Sequence, residues 1–343
     1  MAYDVQSDLR LDPRIRAILA RWPQVPESSV TSREEMLAEA VSPAGMAVLR
    51  AETEFMDQFN NEEVAPSNGL SITTREIVSS PDGNTIKLQI IRPDSDERLA
   101  CIYYIHGGGM TSLSCYIGNF VAWGKILAAK GVVVVMVEFR NAVSASSVPE
   151  VAPFPAGLND CVSGLTWVHE HADELGVDRT KIAISGESGG GNLSIATVLS
   201  LKRDGELHLV SGLYALCPFL TGKWPDERYP SSIESNGILI DLHGNRSAIG
   251  YGIEAYERGD PLAWPGFATT QDVAGFPRTV VSVNECDPLR DEGVAFYRLL
   301  LAAGVPARGR VVLGTMHATE LHPTLCPEIT QVTASDIVAF ATE

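Results

Sequence analysis

Residues 181–193 read Lys-Ile-Ala-Ile-Ser-Gly-Glu-Ser-Gly-Gly-Gly-Asn-Leu, and this segment decides how the rest of the chain is interpreted. An apolar run leads directly into Gly186-Glu-Ser-Gly-Gly190, and residues with helical spacing follow at once. The pattern predicts a strand, a sharp turn and a helix, with Ser188 at the apex and its hydroxyl pointing out of the turn. A tight turn with an ordinary capping serine is the structural alternative.

Three consecutive glycines, residues 189–191, occupy the predicted start of that helix. A glycine inside a helix costs roughly 1 kcal/mol relative to alanine. A chain that makes this unfavourable choice three times is meeting another requirement, such as the close approach of a substrate.

The flanking sequence predicts an α/β fold with a mostly parallel, three-layer sheet. Continuous apolar runs at 99–105 and 132–137 are typical of strands covered on both faces, and the runs at 72–78 and 84–91 predict a hairpin. Later strands are expected at 181–185, 209–216, 279–283 and 307–313. Helices are expected between them, at 121–130, 161–175, 291–303 and 328–340.

Two stretches do not follow this alternation. Residues 1–70 contain breaks at Pro23 and Pro26 and helical patches around 36–41 and 46–59, too small to form their own core. Residues 218–265 are rich in turn formers and aromatic side chains and show no clear strand. We therefore predict a catalytic domain over 71–343, with 1–70 and 218–265 together forming a helical cap over its site.

A serine nucleophile needs a general base, a group that orients the base, and donors for the developing oxyanion. In a parallel α/β sheet these groups lie on loops at the carboxyl ends of the strands. His106-Gly-Gly-Gly109 follows one such strand, and we predict the N–H groups of Gly107, Gly108 and Gly189 as oxyanion donors. A flexible loop or a phosphate cradle are the alternatives, but no G-K-[ST] sequence follows.

The acid and the base are predicted from the same positional argument. Asp287 directly follows the strand at 279–283, and Pro288 disfavours a helical conformation for it. His317 follows the last strand, while His322 is an alternative base five residues later. Asp291 and Glu292 lie in the first turn of the next helix, where carboxylates favour the helix dipole without any catalytic role. The order Ser188, Asp287, His317 is that of α/β-hydrolases.

These motifs resemble the hormone-sensitive-lipase-like family of bacterial carboxylesterases. The resemblance is carried by His106-Gly-Gly-Gly, Gly186-Glu-Ser-Gly-Gly and Asp287-Pro-Leu-Arg-Asp-Glu-Gly, and covers residues from about 71 to the end. Phe139-Arg-Asn-Ala and Asp260-Pro-Leu-Ala-Trp-Pro are similar to a member that opens a macrolactone. The resemblance implies an eight-stranded α/β-hydrolase fold, the triad Ser188, Asp287 and His317, and the same three oxyanion donors. The chain departs from the family pattern at Gly189, where alanine is common, and at Ala318, where glycine is common.

The leading hypothesis is a serine carboxylesterase that uses neither a metal ion nor an organic cofactor. A ligand-binding protein is one alternative, because plant gibberellin receptors resemble this family but lack a working triad. A lyase is another, because some relatives dehydrate their substrates. The aromatic residues of the predicted cap and Met110 favour neutral short- to medium-chain esters or lactones.

The amino-acid composition indicates which classes of partner are expected. The net charge of -17 disfavours nucleic acids and anionic membrane surfaces, so a small-molecule ester is the expected partner, and a homodimer stays open. The six cysteines are scattered without C-x-x-C spacing, which predicts buried free thiols. The first ten residues show no signal-peptide pattern and no apolar run is long enough to span a membrane, so we expect a cytoplasmic protein.

Overall fold

The computed structural model describes residues 5–23 and 30–343, and the whole sheet lies within the second range. Eight strands form one sheet in the order β1-β2-β4-β3-β5-β6-β7-β8. The β1·β2 and β2·β4 pairs are antiparallel and all the other pairs are parallel, which confirms the predicted mostly parallel sheet. The strands are β1 Leu70–Val78, β2 Thr85–Pro93, β3 Leu99–Ile105, β4 Val133–Glu138, β5 Val177–Glu187, β6 Gly212–Leu216, β7 Arg278–Cys286 and β8 Ala307–Met316.

Helices cover both faces of the sheet, as predicted. Helices α4 and α13 pack on one face, and α5, α7 and α12 pack on the other, each with a continuous apolar core. The described helices are α1 Pro13–Leu19, α2 Arg33–Ala40, α3 Pro43–Asp57, α4 Gly118–Ala128, α5 Ala156–Glu170, α6 Ala172–Leu175, α7 Gly189–Asp204, α8 Ser231–Glu234, α9 Arg246–Tyr251, α10 Ile253–Glu257, α11 Thr270–Val273, α12 Arg290–Ala302 and α13 Pro327–Thr342.

The strands in the middle of the sheet carry the apolar runs seen in the sequence. Every residue of β4 is buried, whereas β1, at the edge, is mostly exposed. The predicted helix over 161–175 is interrupted at His171, where the backbone leaves helical geometry, and its second piece ends at Gly176 with a φ of +62°. Residues 207–209 form a short 3-10 turn, so β6 begins later than predicted.

The two segments predicted to form a cap contact one another. Arg246 of α9 forms an ion pair of 3.2 Å with Glu39 of α2, and Met36 packs against Gly250. Residues 218–265 contain three short helices and no strand, as expected from the sequence. Helix α1, Pro13–Leu19, was not predicted from the sequence. Pro26 lies outside the described residues, and the division into domain and cap stays a prediction.

The aromatic residues of 218–265 pack mainly on one another. Phe219 stacks on Trp224 with ring centroids 4.4 Å apart, and Trp264 meets both rings at angles. All three side chains are buried. They therefore pack mainly into a core inside the segment, and the edge of the Phe219 ring also lies near Gly109 of the glycine loop.

All six cysteines are buried and none forms a disulfide, which confirms the prediction of free thiols. Within residues 5–23 and 30–343, no helix combines the length and apolar character needed to cross a membrane.

Candidate active site

Ser188 lies at the sharp turn between β5 and α7, as predicted. Its φ of +56° and ψ of -121° are strained for a residue with a side chain. Three backbone hydrogen bonds hold this conformation: the Ser188 N–H donates to Leu216 O at 3.0 Å, and its carbonyl accepts from the N–H groups of Asn192 and Phe219 at 3.0 and 3.1 Å. The serine is thereby fixed at the carboxyl edge of the sheet, partly open to solvent.

Backbone packing accounts for the glycines behind the serine. A Cβ atom on Gly190 would lie 2.0 Å from Ile105 O, and one on Gly189 would lie 2.6 Å from Met110 N. Real Cβ atoms do not approach other atoms this closely. The close partner of these glycines is therefore the β3 end and the loop after it, and not the substrate proposed from the sequence.

The structure brings Asp287 and His317 together from the ends of β7 and β8. Asp287 Oδ2 lies 2.7 Å from His317 Nδ1, and Asp287 Oδ1 accepts the Leu289 N–H at 2.8 Å. Burial disfavours the imidazolium, but the adjacent Asp287 carboxylate raises the pKa of His317 well above its ordinary value. The pair is therefore suited to stabilise a positive charge on His317. The Ser188 hydroxyl forms no hydrogen bond with His317 in the part of the chain that the structure describes; such bonds often tighten only when substrate is bound.

His322, the alternative base, lies in an aromatic cluster. Its Nδ1 lies 3.0 Å from Ala318 O, and its ring packs edge-on against Trp22 and Phe59, at centroid distances of 5.2 and 4.7 Å. Burial lowers the pKa of His322 to about 4. His322 thus joins the N-terminal segment to the loop that carries His317.

The glycine loop is anchored by His106 and Glu187. His106 stacks on Phe139 at 4.4 Å, and its Nδ1 lies 2.8 Å from Gly107 O, so His106 orients the loop. The Gly107 N–H donates to the Glu187 carboxylate. The prediction of Gly107 as an oxyanion donor is therefore wrong, because its only N–H is already committed to a buried acid.

The next two amides of the loop are better placed to act as donors. Gly108 and Gly109 have φ values of +104° and +61°, and Gly189 packs directly on Gly109. In the described chain, no protein acceptor takes the N–H of Gly108, Gly109 or Gly189. Free N–H groups on adjoining backbones can bind a negatively charged oxygen.

Two buried glutamates near the site were not predicted to have a role. Glu187 accepts hydrogen bonds from the Gly107 N–H and the Tyr104 hydroxyl, and burial raises its pKa to about 8. The available sequence signal was a charged residue between Gly186 and Ser188, at the end of an apolar strand. Glu187 directly precedes Ser188 and binds the Gly107 N–H, so it couples the nucleophile turn to the glycine loop.

Glu292 lies in the first turn of α12, as predicted, and it also bonds to the 218–265 segment. Its carboxylate accepts from Leu220 N at 2.6 Å, Thr221 Oγ1 at 2.8 Å and Trp224 Nε1 at 3.0 Å. Burial raises its pKa to about 8, although these three donors favour the charged form. Glu292 therefore ties the start of the 218–265 segment to α12, which follows Asp287.

Known proteins resemble this chain in sequence and in structure. The sequence profile of a family described by its alpha/beta hydrolase fold matches residues 102–321. An arylesterase from Saccharolobus solfataricus is 30% identical over 71% of this chain and 76% of its own length. The chain therefore belongs to the α/β-hydrolase fold family.

Solved structures of similar proteins indicate which group of α/β-hydrolases the chain belongs to. The esterase Est22 is 58% identical, with a TM-score of 0.96 and 99% of both chains covered, and it has also been solved with p-nitrophenol and as the mutant S188A. Brefeldin A esterase, described as a bacterial homologue of human hormone-sensitive lipase, is 35% identical, with a TM-score of 0.88 and coverage of 98% of this chain and 94% of that one. Within the α/β-hydrolases, the chain belongs with the hormone-sensitive-lipase-like bacterial carboxylesterases, as its motifs suggested.

Proposed function

We propose that this protein is a serine carboxylesterase that hydrolyses neutral short- to medium-chain carboxylic esters or lactones through an acyl-enzyme. The observation that carries the proposal is the hydrogen bond between His317 and Asp287 at the sheet edge that also presents the strained Ser188. No metal ion or organic cofactor is part of the proposal.

In the proposed reaction, Ser188 Oγ attacks the ester carbonyl while His317 accepts its proton. Asp287 holds the imidazole ring and stabilises the positive charge that develops on it. The N–H groups of Gly108, Gly109 and Gly189 stabilise the oxyanion. His317 then returns the proton to the leaving alcohol, and water hydrolyses the acyl-enzyme by the same steps.

The compared proteins support ester hydrolysis and the choice of nucleophile. The arylesterase, Est22 and brefeldin A esterase all carry ester-hydrolase names, and Est22 has been studied with a serine of the same number replaced by alanine. Est22 has also been solved with p-nitrophenol, a small aromatic compound.

The limit on chain length is supported by one packing feature. The Phe219 ring lies 4.0 Å from the position that a Gly109 Cβ would occupy, and this ring is backed by Trp224. An aromatic wall therefore stands beside the proposed oxyanion donors. Such a wall favours a compact apolar acyl group over a long chain.

The nucleophile is tested with Ser188→Ala. We expect esterase activity to fall by on the order of 10³-fold or more, because the members of a triad act as a unit. Ser185→Ala is the matched control. Ser185 lies in β5, three residues before Ser188, and its buried hydroxyl has no hydrogen-bond partner among the described residues. The Ser188 variant should keep its circular dichroism and melting temperature. Full turnover by Ser188→Ala would overturn the assignment.

Product analysis separates the alternatives. Mass spectrometry of a hydrolysed ester should give an acid and an alcohol, and a rapidly quenched sample should show an acyl group on Ser188. Loss of water from the substrate would indicate a lyase. Binding without any product would indicate a ligand-binding protein.

A further inference from the structure

A thiol lies beside the His317–Asp287 pair. Cys217 directly follows β6, its N–H donates to Ser282 O at 2.7 Å, and its φ of +31° turns the chain at this point. Cys217 Sγ, a carboxylate oxygen of Asp287 and a ring nitrogen of His317 all lie within 4.8 Å of one another. All three side chains are buried.

We propose that Cys217, Asp287 and His317 form a binding site for a thiophilic divalent cation of the Zn²⁺ type, and that the bound ion inhibits the enzyme. Sulfur, imidazole nitrogen and carboxylate oxygen are the ligands that Zn²⁺ takes in proteins, and three protein ligands with one open position is a common set. Tetrahedral coordination at Zn–ligand distances of about 2.0–2.3 Å puts ligand atoms about 3.5 Å apart. The three groups therefore need to rearrange by about 1 Å, because ligand atoms up to 4.8 Å apart must come closer and the 2.7 Å contact between Asp287 and His317 must widen.

The charges and protons of the site fit this chemistry. Cys217 loses its thiol proton to solvent when it binds the ion, and an imidazolium at His317 likewise releases one ring proton to solvent and binds as neutral imidazole. The thiolate and the Asp287 carboxylate then balance the two positive charges of the ion. Ser188 is partly exposed and the His317 side chain is 6% exposed, so solvent reaches the cluster from the side of the serine.

Inhibition follows from the occupied ligands and rests on the proposed function. An ion on His317 competes with proton transfer, and an ion on Asp287 weakens the hydrogen bond that orients the imidazole. Binding of the ion does not depend on catalysis. Binding of the ion and inhibition of ester hydrolysis can therefore be measured separately.

Binding is measured on Ser188→Ala, which lacks the proposed nucleophile but keeps all three ligands. We expect Co²⁺ to give a thiolate-to-metal charge-transfer band with one equivalent bound, and Zn²⁺ to displace it. Replacing Cys217 in this background by serine or alanine should remove the band and weaken Zn²⁺ binding by at least about ten-fold, since a ligand is lost. Absence of the band from Ser188→Ala would overturn the site even if the Cys217 variants failed to fold.

Cys326→Ser is the matched control. Cys326 lies near two carboxylates, Asp12 and Glu328, but the Arg14 guanidinium already bonds to both of them. This variant should bind Zn²⁺ as the parent does, and loss of the Co²⁺ band here would place the ion at Cys326 and overturn the proposal.

Inhibition is measured on the enzyme with Ser188 intact. Zn²⁺ should inhibit ester hydrolysis reversibly by chelation, and Cys217→Ser should need at least about ten-fold more Zn²⁺ relative to its own metal-free rate. Equal inhibition of both proteins would overturn the proposal. If Ser188→Ala remained fully active, the proposed nucleophile would fail, whereas an inactive Ser188→Ala without the Co²⁺ band would remove only the metal site.

Discussion

At the scale of single residues, Glu187 connects the serine turn to the glycine loop. Its carboxylate holds the Gly107 N–H and the Tyr104 hydroxyl from a fully buried position. The bond to Gly107 fixes the start of the loop whose next two amides are the proposed oxyanion donors. A residue that touches no substrate can in this way control how charge is stabilised in the transition state.

Glu187→Gln is expected to lower kcat by roughly ten-fold with little change in KM. Glutamine has the same size but only one oxygen acceptor, and its NH2 group forces the Tyr104 hydroxyl to accept where it now donates, so the loop is held less firmly. Tyr104→Phe is the control, because it removes the second bond and leaves Gly107 bound. Steady-state kinetics with a butyryl ester measures both. A change in KM alone would show that Glu187 does not position the oxyanion loop.

The two histidines of the last loop should behave differently. His317→Gln is expected to cost about as much activity as Ser188→Ala, because both belong to the proposed triad. His322→Gln should keep most of the activity and lower the melting temperature, since His322 packs between Trp22 and Phe59. If His322→Gln lost the activity and His317→Gln kept it, the base would have been assigned to the wrong residue.

At the scale of elements, α12 holds the segment after β6 through Glu292. Three donors from residues 220–224 converge on this one carboxylate, and α12 itself follows Asp287. The beginning of the predicted cap segment and the acid of the proposed triad are thus fixed to the same helix. A substitution at Glu292 should therefore change the free energy of unfolding more than the activity.

Glu292 also predicts how stability depends on pH. Its pKa is raised to about 8 in the folded protein, so between about 4.5 and 8 the unfolded chain loses this proton and the folded chain keeps it. The free energy of unfolding should therefore fall as pH rises through this window, by up to about 1.4 kcal/mol per pH unit for one group. Urea unfolding at several pH values measures the slope.

Glu292→Gln should reduce that slope, because glutamine does not titrate. Asp291→Asn is a neighbouring control, since the pKa of Asp291 is lowered despite its burial, chiefly by hydrogen bonds from Arg290 and Ser231, so Asp291 does not contribute to this slope. An unchanged slope in Glu292→Gln would show that Glu292 is charged in the folded protein at neutral pH.

At the scale of the whole molecule, the net charge of -17 should influence which esters reach the site. We expect kcat/KM to be highest for a butyryl ester and lower for a palmitoyl ester and a hemisuccinate of the same alcohol. The Phe219 wall disfavours the long chain, and the negative field disfavours the free carboxylate. The penalty on the hemisuccinate should shrink as salt is added, because charges are screened beyond about 8 Å at physiological ionic strength. A palmitoyl ester or hemisuccinate that came out best would contradict the proposed substrate range.

Local sequence features were sufficient to predict the sheet, the serine turn and the chain positions of the proposed acid and base. Strand runs, glycines and the order of βα units are local features, and each is readable within about ten residues. The position of Ser188 at the end of β5 needed no knowledge of distant contacts. The resemblance to hormone-sensitive-lipase-like esterases rests on the same short motifs.

Which polar groups remain free depends on contacts between distant parts of the chain. The Gly107 N–H is taken by an acid 80 residues away, Glu292 reaches a loop about 70 residues before it, and Cys217 meets the His317–Asp287 pair from another strand end. A hydrogen-bond donor has one partner at a time, so its availability depends on what folding brings within about 3 Å of it. That proximity is set by the packing of the sheet and its loops, and no local pattern in the sequence contains it.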